Sequence, residues 1–185
     1  MIDSNLSDAI CIWDWENTAI GMRERGITKE DYDFLAGING VEQWWNGVAK
    51  MIKVYLFSPM HQLYGFEATF QKRGYSINLC SKIPRVVSAD KVEYKDTTDR
   101  IIINESRFCL KYIPSIRYIF IGSGDKHFVE FLTDAKNKGV KIGVIIGNHE
   151  SLSYEISALA DEHPLTGDKM IHLFSPIRKQ NVNSE

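Results

Sequence analysis

The sequence predicts an α/β fold: a three-layer α/β/α sandwich with a central, mostly parallel sheet. Short and almost wholly apolar runs recur along the chain, and such runs are typical of strands that are buried on both faces of a parallel sheet. Segments with a helical spacing of apolar residues separate these runs, as the crossovers between parallel strands require. The alternation of the two patterns therefore favours helices on both faces of one sheet.

The predicted strands are recognised by their continuous apolar character, beginning with "AICIW" near the start of the chain. Each run is short enough for a strand and is bounded by polar or glycine-containing sequence. Six strands are predicted, at residues 9–13, 53–57, 75–80, 118–122, 141–147 and 170–174.

The predicted helices lie between these strands. Residues 30–52 have helical spacing, and glycines at Gly37 and Gly40 predict a break into two helices. The next helix is predicted to begin after an N-cap at Ser58 and to stop at Gly74. Further helices are predicted at 97–112, with Thr98 as the cap, 126–139 and 153–162, whereas 81–97 is predicted to be a surface loop.

Length and composition are those of a single globular domain. At 185 residues, the chain can bury a substantial core. We expect a core over about 9–174, a helical insertion over about 28–51 and a polar tail at 175–185. The formal net charge of −2 gives no overall attraction to nucleic acid or membrane.

The same sequence features predict a cytoplasmic protein with no membrane partner. No apolar run approaches the roughly 20 residues that a spanning helix needs. The start of the chain lacks the basic and apolar pattern of a signal peptide. Three scattered cysteines without a Cys-x-x-Cys pair favour a reducing compartment over a disulfide framework.

Acidic residues follow two of the predicted strands at the point where each strand ends. Asp14 follows the first strand, and Asp125 follows the fourth in "IGSGD". The carboxyl ends of parallel strands share one edge of the sheet, where ligands bind. Asp99 begins a helix that must return to the same edge. Each acid alone fits an N-cap or first-turn role, but together they would repel unless a cation lay between them.

A divalent ion, Mg²⁺ or Mn²⁺, is the cofactor that these carboxylates predict, because both ions favour oxygen ligands. Such an ion polarises a phosphoryl oxygen and lowers the pKa of a bound water. Asn17 and Ser123 lie beside Asp14 and Asp125 in the sequence and are expected to orient a ligand or the carboxylates, with turn capping as the alternative. Basic residues in the middle of the chain are expected to hold backbone phosphates, unless they simply form a solvated surface: Lys82, Arg85, Lys91 and Lys95.

Four segments, taken in order, resemble one known domain family: "ICIWDWENTAIG", "KDTTDRIIINE", "FIGSGDKHF" and "SLSYEISALADE". They resemble the NYN (LabA-like) domain family of the PIN-like nuclease superfamily. The first is similar to the opening strand of the family, which ends in Asp-x-x-Asn or Asp-x-Glu-Asn. The second is similar to its Lys-Asn-x-x-Asp segment, the third to its Ser-Gly-Asp-x-Asp-Phe element and the fourth to its closing helix, so that the resemblance covers most of residues 9–174.

This resemblance implies a PIN-like, Rossmann-like three-layer fold and an acidic pocket that binds Mg²⁺ or Mn²⁺ and cleaves RNA phosphodiesters. It implies that Asp14, Asp99 and Asp125 are the metal-site acids and that Asn17 accompanies them. RNA is the partner that the resemblance implies. Self-association into a homo-oligomer is compatible with the sequence.

His127 departs from the family pattern, because it stands where the family has a second Asp after Ser-Gly-Asp. Histidine can ligate Mn²⁺ but is a poor ligand for Mg²⁺, and it adds no negative charge. We therefore expect weaker metal binding or a softer ion, unless His127 acts as a general base or a phosphate contact. On the same edge, His149 and Glu150 follow the fifth strand, where a turn is the preferred interpretation.

Two functions follow from this sequence. The first is a metal-dependent endoribonuclease that hydrolyses RNA, with Asp14, Asp99, Asp125 and His127 as the catalytic residues. The alternative is a catalytically inactive NYN-fold module that binds RNA or another protein. A phosphatase of the haloacid-dehalogenase type is disfavoured, because "DWEN" lacks the second Asp that would act as the acid and base.

Overall fold

The computed structural model describes residues 6–24, 34–59, 63, 66–81, 83–88, 91–95, 97–147 and 149–173; for 22–24, 34, 83–88 and 91–95 this description is of the backbone. The predicted polar tail at 175–185 and part of the predicted insertion, residues 28–33, lie outside the described residues.

The described strands form one large parallel sheet and one small hairpin. The strands are β1 Ser7–Asp14, β2 Ala49–Ser58, β3 Ser76–Leu79, β4 Ile83–Ser88, β5 Lys91–Lys95, β6 Ile116–Gly122, β7 Lys141–Ile146 and β8 Met170–His172. The large sheet has the order β3-β2-β1-β6-β7-β8, and each neighbouring pair in it is parallel.

Helices cover both faces of this sheet. The helices of the described residues are α1 Trp15–Glu24, α2 Phe34–Asn46, α3 Glu67–Lys72, α4 Thr98–Tyr112, α5 Val129–Asn137 and α6 Tyr154–Leu159, with 3-10 turns at Lys126–Phe128 and His149–Ser151. The predicted three-layer α/β fold is thereby confirmed.

The side chains of β1 point alternately into two apolar layers, one on each face of the sheet. Ala9, Cys11 and Trp13 belong to one layer, which also includes side chains of α1, α2 and α3. Ile10 and Ile12 belong to the other layer, together with side chains of α4, α5 and α6. Successive side chains of a strand point to opposite faces, so a strand that is apolar at every position must be buried on both sides.

Three of the predicted helix boundaries are wrong. Helix α2 runs without a break through Gly37 and Gly40, since buried apolar side chains along it pack into the core. Ser58 belongs to β2, and its hydroxyl donates to the carbonyl of Pro59 at 2.9 Å instead of capping a helix. The N-cap of α4 is Thr97 and not Thr98.

Two elements were not predicted from the sequence. Helix α1 follows directly after β1, although the sequence there is largely polar. Residues 81–97, predicted to be a loop, contain the antiparallel β4–β5 hairpin. Its strands are short and one contains Pro84, so they lack the continuous apolar signal of the central strands.

The topology of the sheet determines where a ligand would bind. Counting only the strands of the large sheet, the order is 3-2-1-4-5-6, so the chain changes direction across the sheet between β1 and β6. Doubly wound α/β folds of this order bind ligands outside the carboxyl ends of the strands at that switch point. Asp14 ends β1, and residues 123–125 follow β6, so both segments lie at the switch point.

None of the described helices is at once long enough and apolar enough to cross a membrane.

Gly122 makes room for the Trp13 side chain where β1 and β6 pair at the switch point. It pairs with Trp13 across the two strands, and a Cβ atom at this position would lie 2.2 Å from Cδ1 of the Trp13 ring. The Trp13 side chain is buried and its Nε1 donates to Thr18 Oγ1 at 3.0 Å. Only glycine therefore leaves room for this indole beside Asp14.

We expect the substitution Gly122→Ala to lower the free energy of unfolding by about 1–3 kcal/mol, because overpacking a closed core forces side chains or backbone to shift. Urea denaturation measures this change. Gly40→Ala is the matched control, since nothing lies within 4 Å of a Cβ atom there and alanine is a better helix former than glycine by about 1 kcal/mol. Equal stability of the two variants would contradict this account of Gly122.

Candidate functional site

The Asp14 carboxylate, at the end of β1, is held by groups from α1 and from the turn after β6. It is the N-cap of α1, because its Oδ1 accepts a hydrogen bond from the backbone N–H of Asn17 at 3.2 Å. Its Oδ2 lies 3.4 Å from Ser123 Oγ, which donates to it from the end of β6. The side chain is buried, with 5% of the residue exposed. The capping role and the site role predicted for Asp14 thus belong to the same carboxylate.

The turn after β6 is tied to α1 by the two polar residues that the sequence singled out. The Asn17 carboxamide accepts from the N–H of Gly124 at 3.3 Å, and Ser123 Oγ accepts from the N–H of Asp125 at 3.3 Å. Asp125 caps the following 3-10 turn by accepting from the N–H of His127 at 2.9 Å. These contacts orient Asp14 and Asp125 relative to each other.

Gly124 locks this turn against the segment that follows β7. A Cβ atom on Gly124 would lie 2.3 Å from the carbonyl oxygen of Ser151 and 2.7 Å from the Cα atom of Leu152. The Gly124 carbonyl accepts from the N–H of Ser153 at 2.9 Å. Close backbone contact, which a side chain would prevent, therefore sets the position of the neighbouring Asp125.

The structure brings three of the predicted site residues into one cluster. Asp99, Asp125 and His127 each offer a ligand atom, and these atoms all lie within 4.8 Å of one another. His127 Nδ1 lies 2.9 Å from Asp125 Oδ1 and 3.4 Å from Asp99 Oδ2. Asp14 is outside this close group, but it is near enough to interact with it electrostatically.

The electrostatic interaction between Asp14 and the neighbouring acids affects the pKa of Asp14. Burial raises the pKa of its carboxyl group from 3.8 to about 7, and the hydrogen bond from the Asn17 backbone partly opposes this. The negative charges of Asp99, Glu16 and Asp125 raise this pKa further. Glu16 is therefore a fourth acid near the site, which the sequence interpretation missed although it stands in the same "DWEN" segment.

The donors at this edge fit a divalent cation of the Mn²⁺ type. Two ligands at about 2.1 Å from an octahedral ion lie at most about 4.2 Å apart, so small side-chain adjustments would bring the three clustered ligand atoms around one ion. Carboxylates suit Mg²⁺ and Mn²⁺ alike, but an imidazole favours Mn²⁺. The negative surroundings that raise the pKa of Asp14 would also stabilise a bound cation.

Basic residues near the site are only partly described. Lys95 belongs to β5, but its side chain lies outside the described part of the structure, as do the side chains of Lys82, Arg85 and Lys91. Two other basic residues adjoin the site acids in the sequence. Arg100 follows Asp99, Lys126 follows Asp125, and both are exposed.

Comparison with known proteins supports the fold. A crystal structure of a protein of unknown function from Vibrio parahaemolyticus is similar to this chain, with a TM-score of 0.65. The two share 14% sequence identity, and the match covers 93% of this chain and 96% of the other. No family model matches the sequence, and no curated protein is similar enough to count as a relative.

When no divalent ion is present, Asp14 should lower the free energy of unfolding as the pH rises towards neutrality. Its pKa is about 7 in the folded state against 3.8 ordinarily, so between these values the folded protein holds a proton that the unfolded chain has lost. The free energy of unfolding then decreases from about pH 4 to pH 7 and levels off above. Between pH 5 and pH 8 this carboxyl accounts for roughly 2–3 kcal/mol.

We expect Asp14→Asn to remove this dependence, because an amide has no such proton to lose. Urea denaturation in EDTA measures the free energy of unfolding at pH 5 and pH 8. Between these conditions the wild type should lose roughly 2–3 kcal/mol that the variant keeps. Asp134→Asn, at an exposed acid of α5, is the control and should follow the wild type. A parallel pH dependence in all three proteins would disprove the burial argument for Asp14.

Proposed function

We propose that the protein is a metal-dependent ribonuclease of the NYN type, hydrolysing RNA phosphodiester bonds with Mn²⁺ or Mg²⁺. The observation that carries this proposal is the meeting of Asp99, Asp125 and His127 within 4.8 Å, beside the buried Asp14, at the switch point of the sheet. The resemblance of three separate sequence segments to NYN domains supports the same assignment, since each of these segments contributes one of the acids.

The roles of the residues follow from their exposure and contacts. Asp99, Asp125 and His127 are partly or largely exposed and would hold the ion. Asp14, Asn17 and Ser123 lie behind them and orient the acids through the hydrogen bonds between β1 and β6. When bound, a divalent ion polarises a phosphoryl oxygen and lowers the pKa of a coordinated water.

Asp14 also links proton and metal binding in this proposal. Without an ion its carboxyl group holds a proton up to about pH 7. A cation beside Asp99 and Asp125 would favour the ionised carboxylate, so metal binding should release a proton. Activity should accordingly increase from acidic to neutral pH.

An RNA backbone fits this site because its phosphates need both a cation and basic side chains. A carboxylate-rich pocket alone would repel the phosphate, so the ion must neutralise it. The exposed Arg100 and Lys126 adjoin the acids in the sequence and supply positive charge at the rim. The affinity for RNA should fall as the salt concentration rises, with a slope set by the number of phosphates that basic side chains contact.

We also propose that the protein is cytoplasmic. Cys11, Cys80 and Cys109 are all buried and none of them forms a disulfide, as is usual in a reducing compartment.

The substitution Asp125→Asn tests the ribonuclease proposal. With Mn²⁺ and a labelled RNA we expect kcat/KM to fall by at least about 100-fold, because the variant removes a metal-binding charge that is worth several kcal/mol in the transition state. Cleavage is followed on a denaturing gel in the presence of Mn²⁺ and of EDTA.

Asp134→Asn serves as the matched control, because it removes an equal charge from an exposed position on α5. It should cleave at the rate of the wild type. Cleavage by Asp125→Asn at the same rate would overturn the assignment, and so would cleavage by the wild type that EDTA leaves unchanged.

A non-catalytic RNA-binding or protein-interaction module is the second candidate, and the position of His127 favours it. Its Nδ1 lies within hydrogen-bonding or ion-pairing distance of both Asp99 and Asp125. A protonated imidazole there would neutralise charge that otherwise attracts a dication. Calorimetric titration discriminates the two functions: undetectable Mn²⁺ binding at millimolar concentration, with RNA binding retained, would favour the module.

We expect His127→Asp to increase the affinity for Mg²⁺ by at least about tenfold, because it exchanges a poor Mg²⁺ ligand for a carboxylate. Calorimetry gives this affinity directly. His127→Asn is the control, because it removes the imidazole without adding charge and should gain less. If His127→Asp binds Mg²⁺ no more tightly than the wild type, the cluster is not the metal site.

A further inference from the structure

Two histidines meet at the same edge of the sheet, outside the acidic cluster. His172 ends β8, and His149 begins the 3-10 turn after β7. Their ring centroids are 4.1 Å apart, with an angle of 64° between the ring planes. The sequence separates them widely, and the parallel pairing of β7 with β8 brings them together.

Backbone contacts fix both histidines in place. Ile146, the last residue of β7, pairs with His172, and its carbonyl accepts from the N–H of Leu173 at 3.0 Å. The His149 carbonyl accepts from the N–H of Leu152 at 3.1 Å. Gly147 lies against the backbone of α1, where a Cβ atom would be 2.5 Å from the Thr18 carbonyl oxygen. These contacts hold the backbone at both histidines on the rim of the sheet.

We propose that His149 and His172 form a second cation site, specific for a borderline transition-metal ion such as Zn²⁺, Ni²⁺ or Cu²⁺. Imidazole nitrogen is a preferred ligand of these ions and a poor ligand of Mg²⁺. An ion about 2.1 Å from a ring nitrogen lies about 3.2 Å from the centroid of that ring. Two rings with centroids 4.1 Å apart can therefore share one ion at an N–metal–N angle of roughly 80°, close to the cis angle of an octahedral site, once their nitrogens turn towards it.

Access and charge at this position also suit an ion. His149 and the neighbouring Glu150 are exposed, and His172 is partly exposed. Glu150 adds negative charge on the same turn. Within the described residues, the group of three metal-ligating side chains found at the acidic cluster does not include these histidines. The two sites thus differ in chemistry: mainly carboxylates in one and an imidazole pair in the other.

The order of affinities is a direct consequence of this chemistry. A site of two imidazoles should follow the Irving–Williams series, binding Cu²⁺ more tightly than Ni²⁺ or Zn²⁺ and Mn²⁺ most weakly. The acidic cluster should keep its Mn²⁺ when the imidazole pair is removed. The proposal concerns metal binding alone, so it is independent of whether the protein cleaves RNA.

Zn²⁺ titration of the full chain by calorimetry tests the site, after removal of metals with a chelator. The experiment uses a His127→Asn background, so that the imidazole of the acidic cluster does not contribute. Adding His149→Asn should weaken Zn²⁺ binding by at least about tenfold, as the loss of a metal ligand or its support generally does. Adding Asp134→Asn, at an exposed acid of α5, should leave Zn²⁺ binding unchanged.

A spectroscopic measurement separates ligation from a structural effect. With Cu²⁺ alone, electron paramagnetic resonance should show nitrogen couplings from two imidazoles, reduced to one by His149→Asn. His172→Asn should have the same effect; if that variant does not fold, the exposed His149 decides the question. Unchanged Zn²⁺ affinity and unchanged nitrogen couplings in His149→Asn would overturn the proposal and leave the two rings as a packing contact.

Discussion

The burial of one carboxylate at the switch point of the sheet is the constraint on which the rest of this site depends. Asp14 is almost wholly removed from water, and its pKa of about 7 expresses the cost of ionising it there. A buried charge is stable only with hydrogen bonds and a compensating charge. The N–H of Asn17 and the hydroxyl of Ser123 supply the first, and a proton or a cation must supply the second.

The backbone around Asp14 is arranged to keep that carboxylate in place. Thr18 accepts from the Trp13 indole and donates to the Asp14 carbonyl at 3.2 Å, so the side chains before and after the acid are bonded to each other. Gly122 leaves room for the Trp13 indole, and Gly124 lets its turn approach the backbone of residues 151 and 152. A site held by packed strands and close turns is more rigid than one held by surface ion pairs.

The sequence predicted the features that depend on chain composition and missed those that depend on side-chain direction. Continuous apolar runs located the central strands, and the shared edge of parallel strands placed Asp14 near Asp125. The short polar strands of the β4–β5 hairpin and the largely polar helix α1 carry no such signal. The hairpin depends on pairing between its two strands and α1 on its cap at Asp14, and apolar periodicity reveals neither.

The site residues also include some that the sequence predicted and some that it did not. The proximity of Asp99 to Asp125 was predicted from the topology of the sheet. The approach of His127 to both acids depends on the geometry of a turn and on side-chain rotamers, which a sequence does not reveal. Glu16 influences Asp14 because both lie at the start of α1, an unpredicted helix. The contact between His149 and His172 requires the order of β7 and β8 within the sheet, which apolar periodicity does not specify.

The ends of the sheet have a consequence for how copies of the chain can meet. Among the described strands, the outermost are β3, Ser76–Leu79, and β8, Met170–His172, and both are shorter than β1 and β2 at the centre. A short edge strand exposes few unpaired backbone amides and carbonyls, so it is a poor template for pairing with another chain. Extension of the sheet from one molecule into the next is therefore disfavoured, and this protects a very apolar set of inner strands from fibrillar self-association.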